Sequence, residues 1–129
     1  MNNINKLNAN NKLFIEKFET AEASGKTMQE LGINRDVYWA YKRSTEADNE
    51  LINFYYMVDE EDAEDIIKCC RENNIKEFTI SSNSTGMIRS IMALEAHGCH
   101  LNGTAMVNHD NLRIDAKQIP AFKIEVPQR

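Results

Sequence analysis

KEFTISS, residues 76–82, alternates its side chains across an extended backbone: Phe78 and Ile80 fall on one side, Thr79 and Ser81 on the other. A two-residue period carried by aromatic and β-branched residues predicts a strand. Directly behind it, NSTGMIRSIMALEAHG, residues 83–98, predicts a helix from about Ser84, with Met87, Ile88, Ile91, Met92 and Leu94 as an apolar stripe and Gly98 as its stop. A strand followed at once by a helix is half of a βαβ unit. Glu95 breaks the stripe and is expected at the exposed end of that helix.

Working outward, DEEDAED, residues 59–65, opens a helix. Asp59 suits the N-cap, and a helix macrodipole favours the acids behind it by ~0.3–1 kcal/mol each at low salt. Ala63, Ile66, Ile67 and Cys70 form its buried face, and Asn73 and Asn74 suit a left-handed exit. Cys69 sits roughly 100° around the helix from Cys70, so the two thiols do not form a ligand pair. Towards the C-terminus, HLNGTAMVNH alternates as a strand with Leu101, Gly103, Ala105 and Val107 on one face, and IPAFKIEV gives a last strand through Phe122, Ile124 and Val126. The last strand is expected antiparallel to the one before it, and Pro120 suits an edge or a strand start.

Upstream, DVYWAYKR alternates Val37, Trp39 and Tyr41 with Tyr38, Ala40 and Lys42, which predicts a strand over 36–43. LINFYYM, residues 51–57, is apolar again and reads equally as a short strand or a packed connector. NKLFIEKFETAEAS predicts an amphipathic helix from about Asn11 through Phe14, Ile15, Phe18 and Ala21, with Gly25 as its C-terminal cap. A short helical turn is expected over 27–32, and the Asn-rich start reads as a frayed tail. The fold class is therefore α/β (α+β), a single small mixed sheet of about four strands in the order α-β-α-β-α-β-β, with helices packed on the sheet. Residues 1–35 read as a helical appendage and 36–129 as the core domain.

At 129 residues with 42% hydrophobic content, one modest core is expected. No apolar run approaches ~18 residues and no signal peptide is evident, so the chain is placed in the cytoplasm, without a membrane. The three cysteines suit a reducing compartment rather than disulfides. The net charge of −5 is concentrated in the six acids of residues 59–65; the remainder carries 15 basic against 14 acidic side chains. No basic stripe is present, which argues against a nucleic-acid partner.

Several motifs are weaker than they look. His97, Cys99 and His100 lie at a helix end and on opposite sides of an extended segment, and no second ligand pair accompanies them, so no metal site is assigned. Ser24–Thr27 resembles the tail of a P-loop but has Thr20 where the first glycine belongs and a helix where the strand belongs. Asp115 to Lys117 matches only a fragment of a nuclease signature. No nucleophile set can be assembled, so no catalytic residue and no cofactor is assigned.

Two places retain interest. Ser82, Asn83, Ser84, Thr85 and Gly86 lie where a strand meets a helix start, a setting that attracts anions, with Lys42 and Arg43 placed beside them at the end of the first strand. Six of the aromatics fall between 38 and 56, and Tyr38, Trp39, Tyr55 and Tyr56 are candidate interaction residues. The first place suggests a small enzyme or ligand-binding domain for an anionic or phosphorylated metabolite. The second suggests a non-enzymatic binding protein with a protein partner, and an edge strand adds self-association into a homodimer.

YWAYKRSTEADNELINF, IIKCCRENNIKEFTISS and MALEAHGCHLNG together resemble a family of small uncharacterised proteins of conjugative transposons and related mobile elements of Gram-positive gut bacteria, over residues 36–126. The resemblance implies an accessory cytosolic protein of a mobile element, a binder, regulator or counter-defence factor, and carries no catalytic residue with it.

Overall fold

In the computed structural model, residues 4–25, 27, 30–56, 58–81, 86–109 and 118–127 are described. Ahead of the sheet come α1 (Ile4–Asn10), α2 (Lys12–Ser24) and α3 (Arg35–Glu46); then follow β1 (Asn53–Phe54), α4 (Glu60–Glu72), β2 (Glu77–Ile80), α5 (Met87–Ala96), β3 (His100–Asn108) and β4 (Gln118–Glu125). The single four-stranded sheet has the order β1-β2-β4-β3, with β1 parallel to β2 and β4 antiparallel to both β2 and β3. The fold is α+β, and β1, β2 and β3 all run in one direction.

KEFTISS supplies β2 as expected. Phe78 and Ile80 are wholly buried in a core shared with Ile66 and Ile67 of α4, Leu94 of α5 and Ile124 of β4. Thr79 and Ser81 are buried too, on a polar seam: the Thr79 hydroxyl donates to Asn53 Oδ1 at 2.7 Å, and Asn53 Nδ2 donates to the Ser81 hydroxyl at 3.0 Å. The Asn53 N–H in turn donates to the Ser44 hydroxyl of α3 at 2.8 Å. A two-residue strand is thus tied to both neighbours by satisfied buried polar groups, each costly to leave unpaired.

Residues 36–43 are not a strand. They lie inside α3, and the first strand is instead Asn53–Phe54, within the segment whose state the sequence left open. Asn34 caps α3, its Oδ1 accepting the N–H groups of Asp36 at 2.8 Å and Val37 at 3.2 Å. Val37, Ala40, Tyr41 and Ser44 then take the buried positions i, i+3, i+4 and i+7. Alternation and helical spacing share Val37 and Tyr41, and the cap decides between them. The order of elements expected from the sequence survives because β1 takes the vacated place.

From Ile4 onward the Asn-rich segment is helical, not frayed. Leu7 is wholly buried, and Asn11 Nδ2 donates to the Leu7 carbonyl at 2.8 Å, closing the end of α1 before α2 begins. Phe14 of α2 meets Tyr41 edge-on at 5.2 Å, so α2 packs on α3, and Leu7 of α1 and Phe14 both join the common core.

The C-terminal strands bring two further corrections. Between Leu101 and Thr104 the β3/β4 register slips, with Gly103 at φ +85°, so a bulge inserts an extra residue. Leu101 therefore shares a face with Ile124 and is 45% exposed, whereas Val107 turns to the opposite face and is buried. Pro120 lies in an inner strand, not at an edge. Val126 donates to Lys76 across the β2/β4 pair, so even-numbered β4 residues address β2, whose strand ends opposite Phe122; among the described residues the missing Pro120 N–H has no ladder partner to serve. On α5 the buried residues are Ser90, Ala93 and Leu94, while Ile88 and Met92, assigned to the apolar stripe, are 71% and 62% exposed. Ser90 wins a buried position because its hydroxyl accepts the Val58 N–H at 2.9 Å.

Candidate functional site

A cleft of about 450 Å³ opens between α3, the exit of β1 and the start of α4. Small-ligand and side-chain sites commonly span ~300–1,000 Å³. Arg35, Trp39 and Arg43 line it at four-residue steps along α3, beside Asp36 and Ala40. Phe54, Tyr55, Tyr56 and Val58 descend from β1, and Asp59, Asp62 and Ile66 face in from α4. Four residues singled out in the sequence, Trp39, Arg43, Tyr55 and Tyr56, thus meet at one place because 36–43 is helical: one turn brings Trp39 and Arg43 within ~6 Å along the axis, where an extended backbone would have spaced them by ~13 Å.

The aromatic residues divide by role. Trp39 is 50% exposed and Tyr56 61% exposed at the rim. The Arg43 guanidinium lies 4.9 Å from the Tyr56 ring centroid and donates to its hydroxyl at 2.9 Å. Tyr38 is turned away, stacked on Phe18 at 5.6 Å and meeting Trp39 edge-on at 5.2 Å. Lys42 also faces Phe18, its Nζ 5.8 Å from that ring. Tyr55 is half-buried, its hydroxyl donating to the Asn108 carbonyl at 2.6 Å, so it holds structure as well as lining the cleft.

Electrostatically the cleft is acidic. Asp59 holds the N-cap position of α4, yet its side chain makes no capping hydrogen bond. Asp36 is pushed above the usual carboxylate range, first by burial, then by Asp62; Asp59 adds to the rise and Arg35 opposes it. Among the described residues none of these three carboxylates forms an ion pair. Residues 59–62 read in the sequence as helix-dipole acids, an explanation sufficient on its own, so their convergence with Asp36 from another helix left no signal there.

Of the anion-site candidates, Ser82, Asn83, Ser84 and Thr85 lie outside the described residues. Gly86 holds the N-cap position of α5 in a right-handed conformation. Lys42 and Arg43, reassigned to a helix, engage Phe18 and Tyr56 and no longer end a strand beside that segment. Asp115 to Lys117 are likewise outside the described residues.

Cys99 is buried while His97 and His100 are exposed, and among the described residues no three His, Cys, Asp or Glu side chains are grouped to hold a metal ion. Burial raises the Cys99 thiol to about 11 and pushes Cys70 well up, with Cys69 and Cys99 adding to the Cys70 shift. Cys69, expected off the buried face, is buried as well: its Sγ accepts the Asn34 N–H at 3.3 Å, joining α4 to the cap of α3.

Among the described residues no helix is long and apolar enough to cross a membrane. A family described as Domain of unknown function (DUF7698) matches residues 36–126. No curated protein and no solved structure matches the chain.

Proposed function

The chain belongs to the DUF7698 family, whose domain begins at the first turn of α3 and ends just past β4, and from that premise we propose that it is a non-enzymatic interaction protein contacting a protein partner through the α3/α4 cleft. The observation that supports this reading most is the gathering of Trp39 and Tyr56, both at least half exposed, around a concave surface. Exposed aromatic residues beside a desolvated floor are the usual anchors of protein interfaces. Three carboxylates against two guanidinium groups on the lining oppose a phosphate backbone, which disfavours nucleic acid as the partner.

The resemblance in sequence supplies the setting: a cytoplasmic accessory protein of a mobile genetic element, acting as a regulator or counter-defence factor. Self-association through β3, an edge strand, belongs to the same proposal.

Quantitative capture from extracts of cells carrying the parent element, with wild type and Trp39→Ala/Tyr56→Ala as paired baits, tests the reading. A protein retained by the first and lost by the second is expected; identical profiles from two folded baits contradict it.

A further inference from the structure

Resting on that reading, we infer that the cleft recognises an arginine-bearing, extended segment of a protein partner, one guanidinium entering between the Trp39 ring and the carboxylates of Asp59 and Asp62.

The chemistry of the lining selects this occupant. Asp36, Asp59 and Asp62 bring three negative charges, and Arg35 and Arg43 two positive ones, of which Arg43 is already stacked on Tyr56. Asp59 is not consumed by capping, and none of the three acids forms an ion pair among the described residues. The negative charge left over on this lining, three carboxylates against two guanidinium groups, lies in a concave, partly desolvated site and there attracts a cation more strongly than it would on an open surface. The outer acids Glu60, Glu61, Glu64 and Asp65 are all exposed on the first turns of α4, so the negative field continues along the helix and would meet further basic residues of an extended segment.

Apolar and aromatic groups complete the match. Ala40, Phe54, Val58 and Ile66 form a floor for the methylene stem of a long side chain, while the half-exposed indole of Trp39 offers the most favourable ring for a planar cation. Arginine fits better than lysine, because its flat guanidinium both stacks on a ring and presents paired donors to carboxylates. Arg43 on Tyr56 shows the same contact made within the chain.

Trp39 is the one tryptophan of the chain, so its fluorescence reports on this cleft. A nona-arginine peptide and a nona-glutamate peptide are titrated against wild type, Asp59→Asn/Asp62→Asn, and Glu64→Gln/Asp65→Asn, which removes equal charge outside the cleft. Asparagine at 59 keeps N-cap chemistry, and circular dichroism checks that each variant is folded. Expected is a saturable change with nona-arginine, none with nona-glutamate, and binding weakened about tenfold in the cleft variant, a loss of ~1.4 kcal/mol, against about twofold or less in the outer one. No response to nona-arginine, or equal weakening in both variants, overturns the inference. A captured partner lost by Trp39→Ala/Tyr56→Ala but retained by Asp59→Asn/Asp62→Asn would overturn the cation and leave the cleft as the interface.

Discussion

Asn49 and Asn108, 59 positions apart, are locked together: Asn49 Oδ1 accepts the Asn108 N–H at 2.7 Å, and its Nδ2 donates to the Asn108 carbonyl at 3.4 Å. One carboxamide thereby reproduces the donor and acceptor of a neighbouring strand. Asn108 reciprocates, its Nδ2 donating to the carbonyls of Ala47 at 2.9 Å and Asp48 at 3.0 Å. The pair fastens the outer end of β3 to the turn after α3, and through Tyr55 it fixes one wall of the cleft.

Asn49→Ala is expected to destabilise the fold by about 1–3 kcal/mol, the cost of leaving partly buried partners unsatisfied. Urea unfolding measures it. A change below about 0.5 kcal/mol would show that the latch contributes little to the native state.

Asn34→Ala removes the cap that turns 35–46 into a helix. A loss of ~1 kcal/mol is expected, with the Cys69 contact retained because it uses the Asn34 backbone N–H. Thermal melts of the two proteins give the value.

Asp36 makes stability depend on pH with a definite sign. Its carboxyl sits above 3.8 in the folded chain, chiefly through burial and then Asp62, so the native state holds this proton more tightly than the unfolded one. Its contribution is most favourable at low pH and is lost as pH rises through the folded-state value. Relative to wild type, Asp36→Asn should therefore gain stability as pH rises from 3.8 through the folded-state value. A parallel pair of stability curves across that range would be inconsistent with the burial of this carboxyl.

Cys69, Cys70 and Cys99 are each at most 3% exposed, with their pKa values raised mainly by burial. Since the thiolate is the reactive form, an aromatic disulfide reagent at neutral pH should modify none of the three in the native protein and all three in denaturant. Rapid modification of a native thiol would point to an opening that the packing does not show.

Much of this architecture was legible from periodicity and caps. Residues 77–80 read correctly as a strand because no helical spacing competes there, and Asn74 at φ +56° with Ile75 buried behind it ends α4 as its sequence suggested. Residues 36–43 misread because aromatic residues occupy both periods, and the decisive Asn34 precedes the window. The β3 face assignment failed past Gly103, since a bulge changes phase without changing composition. As for the cleft, its aromatic rim and Arg43 were visible as a cluster in sequence, whereas the meeting of Asp36 with Asp59 and Asp62 depends on how two helices pack, which no local pattern records.

The most direct test of the α3/α4 cleft as the contact surface is a two-dimensional amide spectrum of the isotope-labelled chain, recorded with and without the captured partner. Shifts concentrated at 35–43, 54–59 and 62–66 are expected. Unmoved amides there, with shifts centred instead on Ile88, Met92, Leu101 and Met106, would contradict it.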